Sequence, residues 1–189
     1  MEKYNFSYIK HILREITTSY RYKHCIHSAS AARALAESHN EDIIDAEAAG
    51  LVHDCAKDID FKDYSEYDID IKKIPDYDLL LQKAPGVIHS FASAQLAKKV
   101  FGITDACILH ACERHTLGNK NMTALDKIIY IADLIEPMRV YKEVEKLRSE
   151  AYSHLDTAFM FAVRIKISHL LVHKKYICRQ TIEMWNSLV

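Results

Sequence analysis

Apolar residues in this chain recur at spacings of three and four, and only four glycines and three prolines interrupt them. Alternation in twos, which a half-buried strand needs, is missing, and chain breakers are too sparse for many tight turns. The expected fold is therefore all-α. Helices are expected over about 5–20, 24–39, 42–57, 88–101, 104–114, 123–135, 138–148 and 151–172, with a shorter one near 180–187. Ser28, Ala32, Leu35 and Ala36 make a stripe of mostly small side chains suited to close helix packing. The exception is Asp58 to Pro85, crowded with Asp, Lys and Tyr and holding two of the three prolines, Pro75 and Pro85. It reads as short helices and loops forming a mobile wall over a site.

A length of 189 residues suits one domain, expected over 1–189, and no internal repeat or low-complexity tract divides it. The 25 basic and 26 acidic residues leave a net charge of −1. No global field then attracts nucleic acid or an anionic membrane, and neither is an expected partner. An anionic ligand must be met locally. Met1 to Tyr20 is broken by Lys3, Lys10, His11, Arg14 and Glu15, so no signal peptide is expected. No later run reaches the roughly 18 apolar residues of a membrane span. The five cysteines, Cys25, Cys55, Cys107, Cys112 and Cys178, are scattered and odd in number. Reduced thiols in a cytoplasmic protein are the expectation.

Eleven histidines supply both ligands and decoys, so spacing and context must separate them. The most informative step is Val52-His53-Asp54, which ends a small-residue helix, Ala46-Glu47-Ala48-Ala49-Gly50-Leu51. Imidazole beside carboxylate at a buried helix end is costly without a partner. Adjacent helix positions point about 100° apart, so the pair is no one-face chelate, but it suits a two-metal centre. There a histidine binds one ion while a carboxylate, with two oxygens, bridges both. A His-Asp dipeptide alone is weak evidence, being more often a capping or surface pair near a helix C-terminus.

Around it stand His24, His89 after Pro85-Gly86, His115 before Thr116, and Asp133 in Ile131-Ala132-Asp133. With these the chain resembles the HD superfamily of metal-dependent phosphohydrolases and, within it, the YqeK-like symmetrical diadenosine tetraphosphate hydrolases. The resemblance runs from about Arg21 to Asn186, with a motif core of about 21–139. It rests on Arg21-Tyr22-Lys23-His24, His53-Asp54-Cys55-Ala56-Lys57, His115-Thr116-Leu117-Gly118 and the run from Leu125 to Arg139.

That resemblance implies a compact helical HD-domain fold in which His24, His53, Asp54 and Asp133 hold one metal, while His89 and His115 join Asp54 at a second. Imidazole and carboxylate suit iron, the metal expected, and also manganese, cobalt or zinc; the absence of cysteine from the set argues against a purely structural zinc. Two such ions activate a water and offset phosphate charge, so no nucleophilic side chain is needed. Asp54 and Lys57 are the expected catalytic groups, Lys57 lying one helical turn on and reaching a phosphate oxygen. Arg21, Tyr22, Lys23, His24, His115, Thr116 and Arg139 match nucleotide-facing positions, as do Tyr176, Ile177, Cys178, Arg179, Gln180 and Thr181. The chain departs from the family pattern at Cys178-Arg179, Leu134 and His27, around the pocket rather than in the ligand set.

Other features carry blander readings. His169 and His173 have i, i+4 spacing but no acidic partner nearby in sequence, and His27 and His110 suit supporting or core positions. Asp126 and Glu136 are expected to orient ligands or cap helices, and Tyr64, Tyr67 and Tyr77 to pack a loop on the core. The implied activity is hydrolysis of diadenosine tetraphosphate to two ADP. The same centre suits a nucleotidase or phosphodiesterase acting on another nucleotide. A nucleotide-binding or ribosome-assembly partner without turnover is the reading of another class. The oligomeric state is left open, a homodimer included.

Overall fold

The computed structural model describes residues 3–189; Met1 and Glu2, the first two residues of the expected domain, lie outside it. Ten α-helices and three short 3-10 turns, with no strand among the described residues, form one all-helical domain. The helices are α1 Phe6–Ile16, α2 Ser19–Ser38, α3 Ile43–Val52, α4 Tyr77–Lys83, α5 Ile88–Lys99, α6 Ala106–Arg114, α7 Ala124–Ile135, α8 Val144–Ala151, α9 Leu155–Val172 and α10 Arg179–Asn186.

Helix boundaries move where polar side chains compete for the backbone. The helix expected over 5–20 is cut at Thr17-Thr18. Thr18 caps α2 by accepting from the Arg21 amide, and is itself held by Asp58, which accepts from its amide and its hydroxyl at 3.0 and 2.7 Å. The helix expected over 42–57 stops at Val52. Beyond it Cys55 and Lys57 donate three residues back, to Val52 and Asp54, and the Ala56 amide turns to the Ser93 hydroxyl at 3.1 Å. His53 and Asp54 therefore sit on a tightened turn. The helix expected from 138 starts only at Val144, because Arg148 takes the carbonyls of Ile135, Glu136 and Arg139 and holds 136–143 as a connection across the site. α9 likewise starts at Leu155 rather than 151, where a turn closes α8.

The core is built around α2, α3, α6 and α7, with α5 against α6 and α8 and α9 against α7 and each other. α2 and α3 approach so closely that a Cβ at Gly50 would lie 2.6 Å from the Ala29 Cα. Burial of Ala29, Ala32 and Ala36 against Ala46, Ala48 and Ala49 removes their apolar surface from water and brings the ends of two ligand-bearing segments together. The stretch 58–85 carries two of the 3-10 turns, capped by Asp60 and Asp70, and α4; Tyr64, Ile69, Ile74 and Leu80 anchor it in the core. Among the described residues no helix is long and apolar enough to cross a membrane.

Candidate metal centre

α2, the turn after α3, the start of α5, the end of α6 and the end of α7 converge on one point, delivering the buried His24, His53-Asp54, His89 and His115 and the partly buried Asp133. Two compact groups of potential ligand atoms result, His24–His53–Asp54 and Asp54–His89–His115, with Asp54 common to both. Asp133 stands at the margin, its Oδ1 3.3 Å from His24 Nε2.

Ring orientation is set from behind. His53 Nδ1 donates to the Gly50 carbonyl at 2.7 Å and His115 Nδ1 to the Cys112 carbonyl at 2.7 Å. His24 Nδ1 donates to Glu136 at 3.1 Å, and His89 Nδ1 lies 2.8 Å from the Gly86 carbonyl. A carbonyl or ionised carboxylate only accepts, so at His24, His53 and His115 these partners fix the proton on Nδ1 and leave the Nε2 lone pair free, whereas His89 Nδ1 also faces the Lys57 ammonium at 2.8 Å. The Nε2 atoms face one another: His24 and His53 Nε2 are 3.2 Å apart, and so are His89 and His115 Nε2. Asp54 Oδ1 lies 2.8 and 3.2 Å from the latter two, yet it is buried without a hydrogen-bond donor. At His24 and His53 two acceptors crowd together with no proton between them and repel, and a divalent cation resolves the arrangement. With nitrogen and oxygen donors and no thiolate, the set fits a hydrolytic transition-metal centre.

The protonation states agree. Burial pulls the imidazoles of His53 and His89 down to about 3 and about 4, against the opposing pull of Asp54, so both are neutral at physiological pH. Burial alone would raise Asp54, but the surrounding imidazoles of His89, His53 and His115 hold its carboxyl well below the usual range. Asp133 is also held low against burial, by His24, Lys166 and Arg139. Neutral imidazoles and ionised carboxylates are the ligand forms that metals require.

Basic side chains surround the cluster. Arg21 Nη1 pairs with Asp54 Oδ2, and Arg139 pairs with the Asp133 carboxylate while its Nε donates to the Asp133 carbonyl at 2.7 Å. Lys57 Nζ donates to the Gly86 carbonyl at 2.9 Å and sits 2.8 Å from His89 Nδ1. A cavity of about 1470 Å3 opens beside them, its wall including Thr116, Leu134, Arg139, Tyr176, Cys178 and Thr181. Thr181 is fixed there by its hydroxyl, which donates to the Leu117 carbonyl at 2.9 Å. The Pro85-Gly86 turn and the end of α4 line the same cavity, so the tail of the 58–85 stretch does form a wall.

Several expected nucleotide contacts lie elsewhere. Arg179 is 81% exposed and paired with Glu183, so α10 turns it outward. Ile177 and Gln180 do not line the cavity. Tyr22 lies under the Arg14 guanidinium and Lys23 is exposed, as follows from their 200° and 100° displacement from His24 around α2. Of the bland readings, Asp126 caps α7 with Thr123, and Tyr64 is buried against Phe61. His110, expected in a supporting or core position, is exposed.

One residue was missed altogether. Lys166 of α9 donates to the His115 carbonyl at 2.8 Å, stands 3.8 Å from Asp133 Oδ2, and lies over the Tyr130 ring. Burial draws its ammonium down to about 8. Its signal in the sequence is a lysine at the next position of the apolar stripe Phe159, Ala162, Val163.

Comparison with known proteins gives the same outline. Residues 21–138 match the family model described as HD domain. A protein of Halalkalibacterium halodurans, named symmetrical bis(5'-nucleosyl)-tetraphosphatase, is 34% identical over 91% of this chain and 90% of its own. The protein of that name in Bacillus subtilis is 32% identical over 94% of each chain. The crystal structure of a predicted HD superfamily hydrolase involved in NAD metabolism, from Clostridium acetobutylicum, superposes with a TM-score of 0.89 at 36% identity, covering 98% of this chain and 97% of that one.

Proposed function

The chain belongs to the HD domain family, and from that premise we propose that it hydrolyses diadenosine tetraphosphate symmetrically, to two ADP. The observation that carries the reading is the pair of ligand sets sharing Asp54, each with imidazole Nε2 atoms facing a buried carboxylate, beside a cavity edged by cationic groups. Divalent ions bound there would polarise a phosphoryl group and lower the pKa of a coordinated water. Iron is the metal we assign, with manganese, cobalt and zinc compatible with the same donors.

The roles we assign to the chain's own residues follow from where they lie. His24, His53, Asp54 and Asp133 would form one metal subsite and Asp54, His89 and His115 the other. Lys57, on His89, is within reach of phosphate oxygens at the second. Arg139, Thr116, Tyr176, Cys178 and Thr181 would hold one nucleoside diphosphate unit in the cavity, which sets the linkage presented for cleavage. Arg21, paired with the Asp54 carboxylate, would orient it. Five unpaired cysteines support a cytoplasmic setting.

The test is product identification after separate reconstitution with iron, manganese and cobalt. Diadenosine tetraphosphate should give ADP alone, and in water enriched with heavy oxygen one ADP of each pair should carry a single label on its terminal phosphate. ATP plus AMP as primary products overturns the register. Absence of turnover with every metal returns the chain to a nucleotide-binding role.

A further inference from the structure

Lys166 has no part in the ligand set, yet α9 carries it to the cavity side of the cluster. Its Nζ donates to the His115 carbonyl at 2.8 Å and lies 3.8 Å from the Tyr130 ring centroid. Asp133 Oδ2, also at 3.8 Å, is beyond hydrogen-bond range. An ammonium carries three donors. The carbonyl uses one, and the side chain remains 21% exposed in the cavity wall, between the ligand-bearing α6 and α7. Donor capacity is therefore directed at whatever fills the cavity.

The charges point the same way. Lys57 stands on His89 and Lys166 between His115 and Asp133, with Arg139 also on Asp133. Divalent ions between them would add further positive charge around a largely desolvated ammonium. The Asp54, Asp133 and Glu136 carboxylates offset part of that charge, and an anionic ligand among the cations would offset the remainder.

We propose that Lys166 binds a phosphate oxygen of the substrate where the cavity meets the cluster, at a point distinct from Lys57 on His89. The identity of that anion as a phosphate chain rests on the phosphohydrolase reading above. Two separate ammonium contacts favour a ligand with more than one phosphate, a phosphoanhydride, over a phosphate monoester.

Calorimetric titration of manganese-loaded protein with ADP, alongside a titration of metal-free protein with manganese, tests this without turnover. Lys166→Met should weaken ADP binding at least about tenfold, the range of a charge-assisted hydrogen bond. Its manganese affinity should stay equal or become tighter, because a neighbouring cation is gone. Lys166→Arg should restore most of the ADP affinity. ADP affinity within twofold of wild type in Lys166→Met overturns the inference. So does a parallel fall in manganese affinity, which would make the lysine a strut for His115 and Asp133. Wild-type protein that binds neither ADP nor pyrophosphate overturns it as well. Protein that binds ADP through Lys166 but cleaves no dinucleoside tetraphosphate leaves this inference standing and removes the substrate assignment instead.

Discussion

Asp54 is the residue that both compact ligand groups share, and among the described residues no second carboxylate belongs to either. Its Oδ1 faces two imidazole nitrogens at one subsite while Oδ2 lies 3.5 Å from His24 Nε2 at the other. Replacement by alanine should therefore empty both subsites rather than weaken one. Elemental analysis of Asp54→Ala after reconstitution should find metal content near zero and no measurable turnover; full content with an unchanged rate would show that the carboxylate bridges nothing. His169→Ala and His173→Ala serve as the comparison. Those rings stack on each other at the end of α9, outside both groups, and metal content should be unaffected by either change.

The position of His53 is a property of a helix pair. α3 brings Gly50 against the Ala29 backbone, and the Gly50 carbonyl in turn accepts from His53 Nδ1, so one residue governs both the spacing of α2 from α3 and the direction of a ligand ring. A methyl group there meets backbone, which cannot rotate away. Gly50→Ala should cost about 1–3 kcal/mol, the usual penalty for overpacking a closed interface, despite alanine's better helix propensity. A fall in the urea midpoint with unchanged slope checks the stability, and a weaker manganese affinity checks the displacement of His53. A variant as stable as wild type would mean that the two helices part without strain. Gly118, three residues after His115, has a left-handed backbone, φ +73°, and any side chain there would strike Met184 of α10.

Across the whole molecule the cluster ties acid stability to the state of the ligands. His53 and His89 are held neutral in the folded chain, with pKa values near 3 and 4 against an ordinary 6.5, so they take up protons chiefly on unfolding. Their contribution is complete above pH 6.5 and is lost as pH falls from there toward 4, where the unfolded chain binds more protons. Asp54 and Asp133, held below the ordinary 3.8, act in the same direction at lower pH still. The metal-free protein should therefore lose stability steadily below pH 6.5. Urea titrations at pH 7.5, 6 and 5 would show it, and equal midpoints at all three would contradict the buried neutral state of these rings.

Sequence alone determined the all-helical class, because periodicity and the scarcity of breakers are local properties of the chain. It also supplied His24, His53-Asp54, His89, His115 and Asp133 as candidates, since their motifs are short and strongly patterned. Which expected residues face the cavity was decided in three dimensions. Arg179 and Lys23 stand beside site residues in sequence but point away, because a helix sends neighbours in different directions. Helix ends at Thr18, Val52 and Val144 were set by Asp58, Ser93 and Arg148, side chains remote or several residues away that compete for backbone groups. Lys166 lies 33 positions beyond Asp133 with no motif around it, and only the packing of α9 against α7 brings an ammonium to the metal ligands, since through-space electrostatics depend on distance in the fold and not along the chain.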